Sequence, residues 1–239
     1  MKRFRRKRRR LAAGALLPIA AALTTTGTLA AAQEPELTQP PAEQPAAQDP
    51  PVEETSAPQS RQPSKTRIKA DRHVMAGGAV KVRGTVRPAV DGQQVVVHVP
   101  GKDKVTRTGG GGKFAVKFQV GGAGEYRVQA SAQGTDTTTG SNSKAVKVTA
   151  YRPAQASWYG PGLYGNGMAC GGTLTPSTVG VAHKSLPCGT KLTLRYRGNT
   201  VEVEVVDRGP YVGGREFDLT AATRQKLGFP STGTVLSSK

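Results

Sequence analysis

From Ala79 onward the chain alternates apolar and polar residues with a period of two, in runs of six to eight residues (Ala79–Val86, Gln94–Val99, Lys113–Val120, Glu125–Ala130, Lys144–Thr149) separated by turns rich in Gly and Asp. A period of two sends successive side chains to opposite faces, so each run is a half-buried strand, and the spacing is that of an all-β fold. Composition agrees where it bears on the point. Thirty Gly and 17 Pro with 5% aromatic residues disfavour a helical bundle. At 239 residues there is room for one or two domains of ~150 residues each.

Ahead of the alternating region lie two segments of another kind. Met1 to Arg10 carries eight cations, Leu11 to Leu29 is uncharged and Ala/Leu-rich, and Ala30, Ala31 and Ala32 offer a small-residue cleavage site before Gln33. This is the pattern of an export signal over residues 1–32. Pro18, Thr24, Thr25, Thr26 and Gly27 dilute the apolar run below the ~20 well-buried residues a retained span needs, so no membrane span is expected after signal removal. No Cys lies near the cleavage point, so lipid attachment is not expected either. Residues 33–65 are rich in Pro, Gln, Ala and Glu without apolar period, which predicts a disordered linker. The exported chain keeps 26 bases and 16 acids, a net +10.

The segment 66–150 is expected to fold as a small β-sandwich. Gly124-Glu125-Tyr126-Arg127-Val128 is similar to the tyrosine corner of immunoglobulin-like domains, an architectural likeness only, since no Cys pair or Trp accompanies it. Fourteen bases against five acids give this segment +9. That charge suits either docking on anionic cell-wall polymers or a merely solvated surface. A chain built for export, with no aromatic-rich platform, is not expected to bind nucleic acid.

Residues 151–239 carry different chemistry. Ala156–Tyr159, Lys191–Tyr196, Thr200–Val206 and Thr234–Leu236 are strand-like, and Leu219–Leu227 is predicted as one short helix closed by Gly228 and Pro230, which suggests a mixed β-barrel. Cys170 and Cys188 are the only cysteines, and in an oxidising compartment a close pair is most simply a disulfide, holding one wall of a groove. Two Cys and three scattered His do not have zinc-site spacing, so no metal is expected.

Four ordered motifs lie in this last third: Ala156-Ser157-Trp158-Tyr159-Gly160, Val181-Ala182-His183-Lys184-Ser185-Leu186-Pro187-Cys188-Gly189-Thr190, Val206-Asp207-Arg208-Gly209-Pro210-Tyr211 and Arg215-Glu216-Phe217-Asp218-Leu219-Thr220. Together they resemble the double-psi β-barrel of rare lipoprotein A-like septal lytic transglycosylases. The resemblance implies a six-stranded barrel, a groove for peptidoglycan glycan strands, and cleavage that leaves 1,6-anhydro ends with no cofactor. The Asp207 to Asp218 spacing also resembles membrane-bound lytic transglycosylase A and expansins, in which the position of Asp218 is the functional acid. The closer family draws attention instead to His183 and Asp207. Met168-Ala169-Cys170-Gly171 departs from the family's Thr-Ala-Asn-Gly, and Gly172 to Gly180 lacks the carboxylate that relatives often have. A non-catalytic, expansin-like wall-binding or wall-loosening protein is therefore the alternative.

The residues themselves nominate the same acids. In Val201-Glu202-Val203-Glu204-Val205-Val206-Asp207 alternation puts Asp207 on the valine face at a strand end, where partial desolvation favours a proton-donating carboxyl. Asp218 lies between Phe217 and Leu219 and should point to the opposite face. Each also suits a turn or helix cap. His183 either orients an acid, binds sugar or is structural. Arg208 either grips substrate or holds its loop. Trp158, Tyr159, Tyr164 and Tyr211 could stack on sugar faces, with Trp158 at least as well suited to barrel packing. A secreted monomer of the cell envelope or wall is the resulting expectation.

Overall fold

The computed structural model describes residues 60–239; the export leader and most of the linker fall outside the described residues. Fourteen strands and one short helix follow. The first nine strands are β1 (Lys65–Ala70), β2 (His73–Met75), β3 (Ala79–Arg87), β4 (Gln94–His98), β5 (Lys104–Arg107), β6 (Lys113–Gln119), β7 (Gly124–Ala132), β8 (Ser141–Asn142) and β9 (Val146–Tyr159). The rest are β10 (Val181–His183), β11 (Lys191–Tyr196), β12 (Asn199–Asp207), β13 (Phe217–Thr220), α1 (Ala221–Leu227) and β14 (Gly233–Ser237). The expected all-β class with a single short helix is what the chain adopts. The helix starts two residues later than predicted. Leu219 belongs to β13, and Thr220 caps α1 by accepting a hydrogen bond from the Thr223 amide.

In the N-terminal half, β1, β3 and β6 form a three-stranded antiparallel sheet. It packs on a second sheet in which β5, β4, β7 and the first half of β9 are neighbours. Alternation explains the core between them. Val80, Val82 and Val86 from β3 and Phe114 and Phe118 from β6 meet Val95, Val97, Val128, Ala130, Val148 and Ala150 from the facing sheet. The Tyr126 hydroxyl donates back to the Gly122 carbonyl at 2.8 Å. Within the described end of the expected linker, Gln62 exchanges main-chain hydrogen bonds with Thr137 and Thr139.

The boundary expected at residue 150 falls inside β9. This 14-residue strand pairs with β7 and β2 through its first half and with β14 and β13 through its second. Pro153, which in sequence marks a strand end, lies opposite Leu236 of β14 within the strand. The second half of β9 joins β13, β10, β12, β11 and β14, and the β13–β9 pairing closes these six strands into a barrel. Its core holds Val181, Leu192, Leu194, Val203, Val205, Phe217, Leu219, Leu227, Phe229 and Val235. The two halves are also bolted side by side. Glu125 Oε1 accepts from Thr193 Oγ1 at 2.8 Å and from Lys147 Nζ at 2.9 Å, and Lys147 also pairs with Glu202.

Candidate active site

The site is organised by one row of residues across four barrel strands. On β10, Ala182 lies opposite Asp207 of the parallel strand β12 on one side and opposite Asp218 of the antiparallel strand β13 on the other. Asp218 in turn lies beside Ser157 of β9. Directly paired residues project to the same face of a sheet, so both aspartates flank the methyl group of Ala182 at a backbone separation of two strand spacings, about 9.5 Å. The core residues Val181, Val205, Phe217 and Leu219 occupy the other face.

Asp207 reaches this row only through an irregularity. Strict alternation along β12 would leave it with Val205 on the core face. The register instead shifts between Val181 and Ala182, so that Val205 and Asp207 oppose consecutive residues of β10 with Val206 as the extra one. Gly180 makes the shift sterically feasible, since a β-carbon there would meet the Val206 side chain at 2.5 Å. The expectation that Asp207 shares the valine face is thus corrected, whereas Asp218 points away from its buried neighbours Phe217 and Leu219 as alternation requires.

The two carboxyls are held differently. Asp207 Oδ1 accepts main-chain N–H groups of Ala169 and Arg208, each at 2.8 Å. The Ala169 bond pins the loop between β9 and β10 to the end of β12. Asp218 Oδ1 accepts one side-chain hydrogen bond, from Ser157 Oγ, and no main-chain amide. Tyr159, two residues along β9 from Ser157, projects to the same face. Its hydroxyl is buried without a partner of good hydrogen-bond geometry. Burial first, then the charge and proximity of Asp207, then the charge of Asp218, push its pKa well above the ordinary value of 10. Tyr159 is thus half-buried, with a neutral hydroxyl close to both carboxyls.

His183 is not part of the row. Its ring lies on Phe217, centroids 5.1 Å apart, on the face opposite Ala182. Nδ1 accepts the Ser185 and Leu186 amides at 3.1 and 2.9 Å, which leaves the ring proton on Nε2, 3.8 Å from Glu216 Oε1. Burial holds His183 below its ordinary value of 6.5, with Glu216 opposing the fall. Glu216 is doubly bonded by the Arg152 guanidinium, which holds its carboxyl below the usual 4.5. Glu216, Arg152 and Ser157 are polar partners that sequence reasoning missed. Ser157 and Glu216 each had a usable signal, a period-two relation to Tyr159 and to Asp218 within the same motif.

The Arg208 guanidinium is occupied by its own loop, with NH1 donating to the carbonyls of His183 and Leu186 at 3.2 and 3.1 Å and NH2 contacting Cys188 Sγ at 3.0 Å. Cys170 and Cys188 form a disulfide with Cα atoms 5.5 Å apart. Together with the Ala169–Asp207 bond it fixes the loop after β9 as one wall beside the acids. Trp158 packs on the barrel core, and the Arg224 guanidinium covers its ring at 4.3 Å. Tyr211, by contrast, is 83% exposed on the loop following Asp207, and Leu163, Tyr164 and Val212 are exposed on the same two loops. No group of three or more metal-ligating side chains occurs among the described residues.

A family model described as lytic transglycolase matches residues 153–236, the closed barrel and its acids. The match covers the C-terminal barrel, about a third of the chain. Among curated proteins, this domain is similar to the probable endolytic peptidoglycan transglycosylase RlpA of Synechocystis, 42% identical over 80 residues that make up 33% of this chain and 25% of that protein. It is similar also to the probable enzyme of the same name from Aquifex aeolicus, 41% identical over 91 residues, 37% of this chain and 40% of that one. The endolytic peptidoglycan transglycosylase RlpA of Pseudomonas aeruginosa is 41% identical over 81 residues, 33% of this chain and 24% of that protein. The chain therefore spans a quarter to two fifths of these relatives' length. Among solved structures, the Streptomyces papain inhibitor matches with 24% identity over 36% of this chain and 90% of that one, at a TM-score of 0.30.

Proposed function

We propose that the RlpA-like domain is a peptidoglycan lytic transglycosylase working in the cell envelope on glycan strands. The observation that carries this reading is the Asp207–Ala182–Asp218–Ser157 row, which sets two carboxyls on one face with a small residue between them. Hydrolysis by either stereochemical route uses two carboxyls in defined roles, whereas anhydro-sugar formation needs one acid that later acts as a base. Asp218 fits that role because its only hydrogen-bond partner is the Ser157 hydroxyl. Its proton passes to the glycosidic oxygen as the C1–O bond breaks. The resulting carboxylate then accepts the proton of the sugar's own C6 hydroxyl as that oxygen closes on C1, so no water is consumed.

Asp207, anchored by two amides, faces the oxocarbenium-like carbon. Tyr159 donates to whichever carboxylate oxygen needs neutralising. Exposed Tyr211 stacks on a sugar face. His183 acts as a positioning group, through the Arg208 and Leu186 contacts of its own loop. No cofactor enters this scheme. No helix among the described residues is long and apolar enough to cross a membrane, and export to the envelope as a monomer completes the proposal, with anionic wall polymers as partners of the cationic N-terminal half.

A wall-binding reading without cleavage has one observation in its favour, the two main-chain amides on Asp207 Oδ1, an arrangement that also suits a purely structural aspartate. One experiment separates the two. Denuded glycan strands incubated with the protein and resolved by mass spectrometry yield anhydro-muramyl ends under the proposal. Intact strands would leave only binding, and new reducing ends would make the domain a hydrolase.

A further inference from the structure

The outer face of the β1–β3–β6 sheet carries charge of one sign. Lys65, Arg67 and Lys69 on β1, Lys81, Arg83 and Arg87 on β3, and Lys113 and Lys117 on β6 are all exposed. The register brings them into one field, with Lys65 opposite Arg87, Lys69 opposite Arg83 and Lys81 opposite Lys117. Like charges directly across strands destabilise a sheet. Among the described residues none of these eight cations is in an ion pair, which holds for most of the other cations as well, only Lys147, Arg152 and Lys191 being paired with carboxylates. Asp71, at the end of β1, is engaged by the Lys81 amide at 3.0 Å. A trough of about 1300 Å³ borders β1, lined by Lys65, Arg67 and Lys81 of this face and also by the apolar Ile68, Phe114 and Val146.

We infer that this face is a docking surface for a linear phosphodiester polymer of the cell wall, a polyol-phosphate chain. Charge complementarity is the first argument, and the chemistry missing from the face is the second. The positions between the cations are Thr85, Ala115 and Gln119, so nothing there can stack on a nucleic-acid base or insert into a lipid layer. What remains is recognition of regularly spaced negative charge. Alternate residues along a strand are about 6.7 Å apart and neighbouring strands about 4.8 Å, so three strands form a strip about 10 Å wide, suited to one unbranched chain. The choice of a wall polymer rests on the envelope location proposed above, and it does not depend on cleavage by the barrel. Because β9 runs unbroken from this half into the barrel and Glu125 and Lys147 bolt the junction, a polymer held on the sheet fixes the orientation of the acid row relative to the wall.

The test is titration of the exported protein with poly(glycerol phosphate) at several salt concentrations, beside single-stranded DNA of equal charge and phosphatidylglycerol vesicles. The quadruple substitution Arg67→Gln, Lys81→Gln, Arg83→Gln, Lys113→Gln should weaken polymer binding on the order of a hundredfold and make log K against log salt shallower by roughly three. Lys102→Gln, Lys104→Gln, Arg107→Gln, on and before β5, should leave binding within about threefold of the parent. Relief of like-charge pairing should keep the quadruple variant's thermal midpoint at or above the parent's. If that variant unfolds, the Arg67/Arg83 and Lys81/Lys113 double variants carry the same comparison. Unchanged affinity in the quadruple variant, an equal loss in the β5 variant, or tighter binding of DNA or vesicles than of the polymer would overturn the inference. Glycan cleavage on polymer-free strands should be the same for the quadruple variant and the parent. If the parent itself fails to cleave, the enzymatic proposal falls and the polymer titration still stands.

Discussion

The two halves of the molecule use the same strand alternation for opposite ends. In the three-stranded sheet, alternation is uninterrupted, and the outward residues of β1 and β3 are cations apart from Ala79 and Thr85. Its chemistry is additive and spread over an open face. In the barrel, chemistry is concentrated, and it depends on one break in the alternation, the shift at Val181–Ala182 that carries Asp207 into line with Asp218. Diffuse charge tolerates loss of a member, whereas a two-carboxyl row does not. Substitutions in the barrel should therefore act steeply and individually, and those on the sheet gradually and in sum.

The sharpest probe of that contrast is Asp218→Asn, expected to lower anhydro-product formation by roughly 10³-fold with little change in thermal midpoint, because the amide oxygen still accepts from Ser157. Asp207→Asn should cost less in rate, since its oxygen keeps both main-chain donors, while Asp207→Ala should also loosen the loop around Ala169. Equal rate losses in the two Asn variants would break the assignment of Asp218 as the acid. Next in size is the disulfide. Replacing Cys170 and Cys188 with Ser should cost roughly 3 kcal/mol of stability, read by denaturant melts, through loss of the crosslink on the unfolded barrel. Polymer binding by the folded protein should not move.

Tyr159→Phe sharpens the picture of the row itself. Removing a buried hydroxyl that lacks a partner should leave stability unchanged or raise it by about 1 kcal/mol, while cleavage falls by roughly tenfold. A stability loss without a rate effect would make Tyr159 a packing residue. The smallest effect expected is in pH. His183 is held below 6.5 by burial, so its contribution to stability is complete above that value and declines as pH falls toward the folded pKa. His73 follows the same sign for the same first cause. Glu216, held below 4.5 by Arg152, contributes above 4.5 and loses that contribution as pH falls further. Thermal melts of the parent should thus show two acid-side declines, and Glu216→Gln should shrink the lower one, to which Glu125, which burial would raise but Lys147 and Thr193 hold below 4.5, also contributes. An unchanged profile in that variant would show that the Arg152–Glu216 pair adds nothing to folding.

Much of the fold could be recognised in the residues, because alternation is a local property of an extended chain. The five predicted runs of the N-terminal half coincide with β3, β4, β6, β7 and the start of β9. Short strands escaped for a physical reason. β10 has three residues and β13 four, too few for a periodic signal, and β9 continued through Pro153 because its pairing with β14 and β13 outweighs the local preference for a break. The candidate site was legible as a set of residues and not as an arrangement. Asp207, Asp218 and Tyr159 do share one face, while His183, Arg208 and Trp158, as conspicuous in sequence, are engaged respectively by Glu216 and loop amides, by loop carbonyls, and by the core and Arg224.

Strand faces, the excess of cations, the cysteine pair and the motifs shared with the RlpA-like family were thus determined by sequence alone, each depending on residues close together in the chain or on the count of one residue type. Which residues oppose which was decided only by tertiary structure. β10, β12 and β13 are far apart in sequence, and their register is set by barrel closure and by how closely Gly180 lets Val206 approach. A shift of one residue turns a side chain to the other face of a sheet, so the meeting of the two acids over Ala182 is a property of the closed barrel and of no single segment.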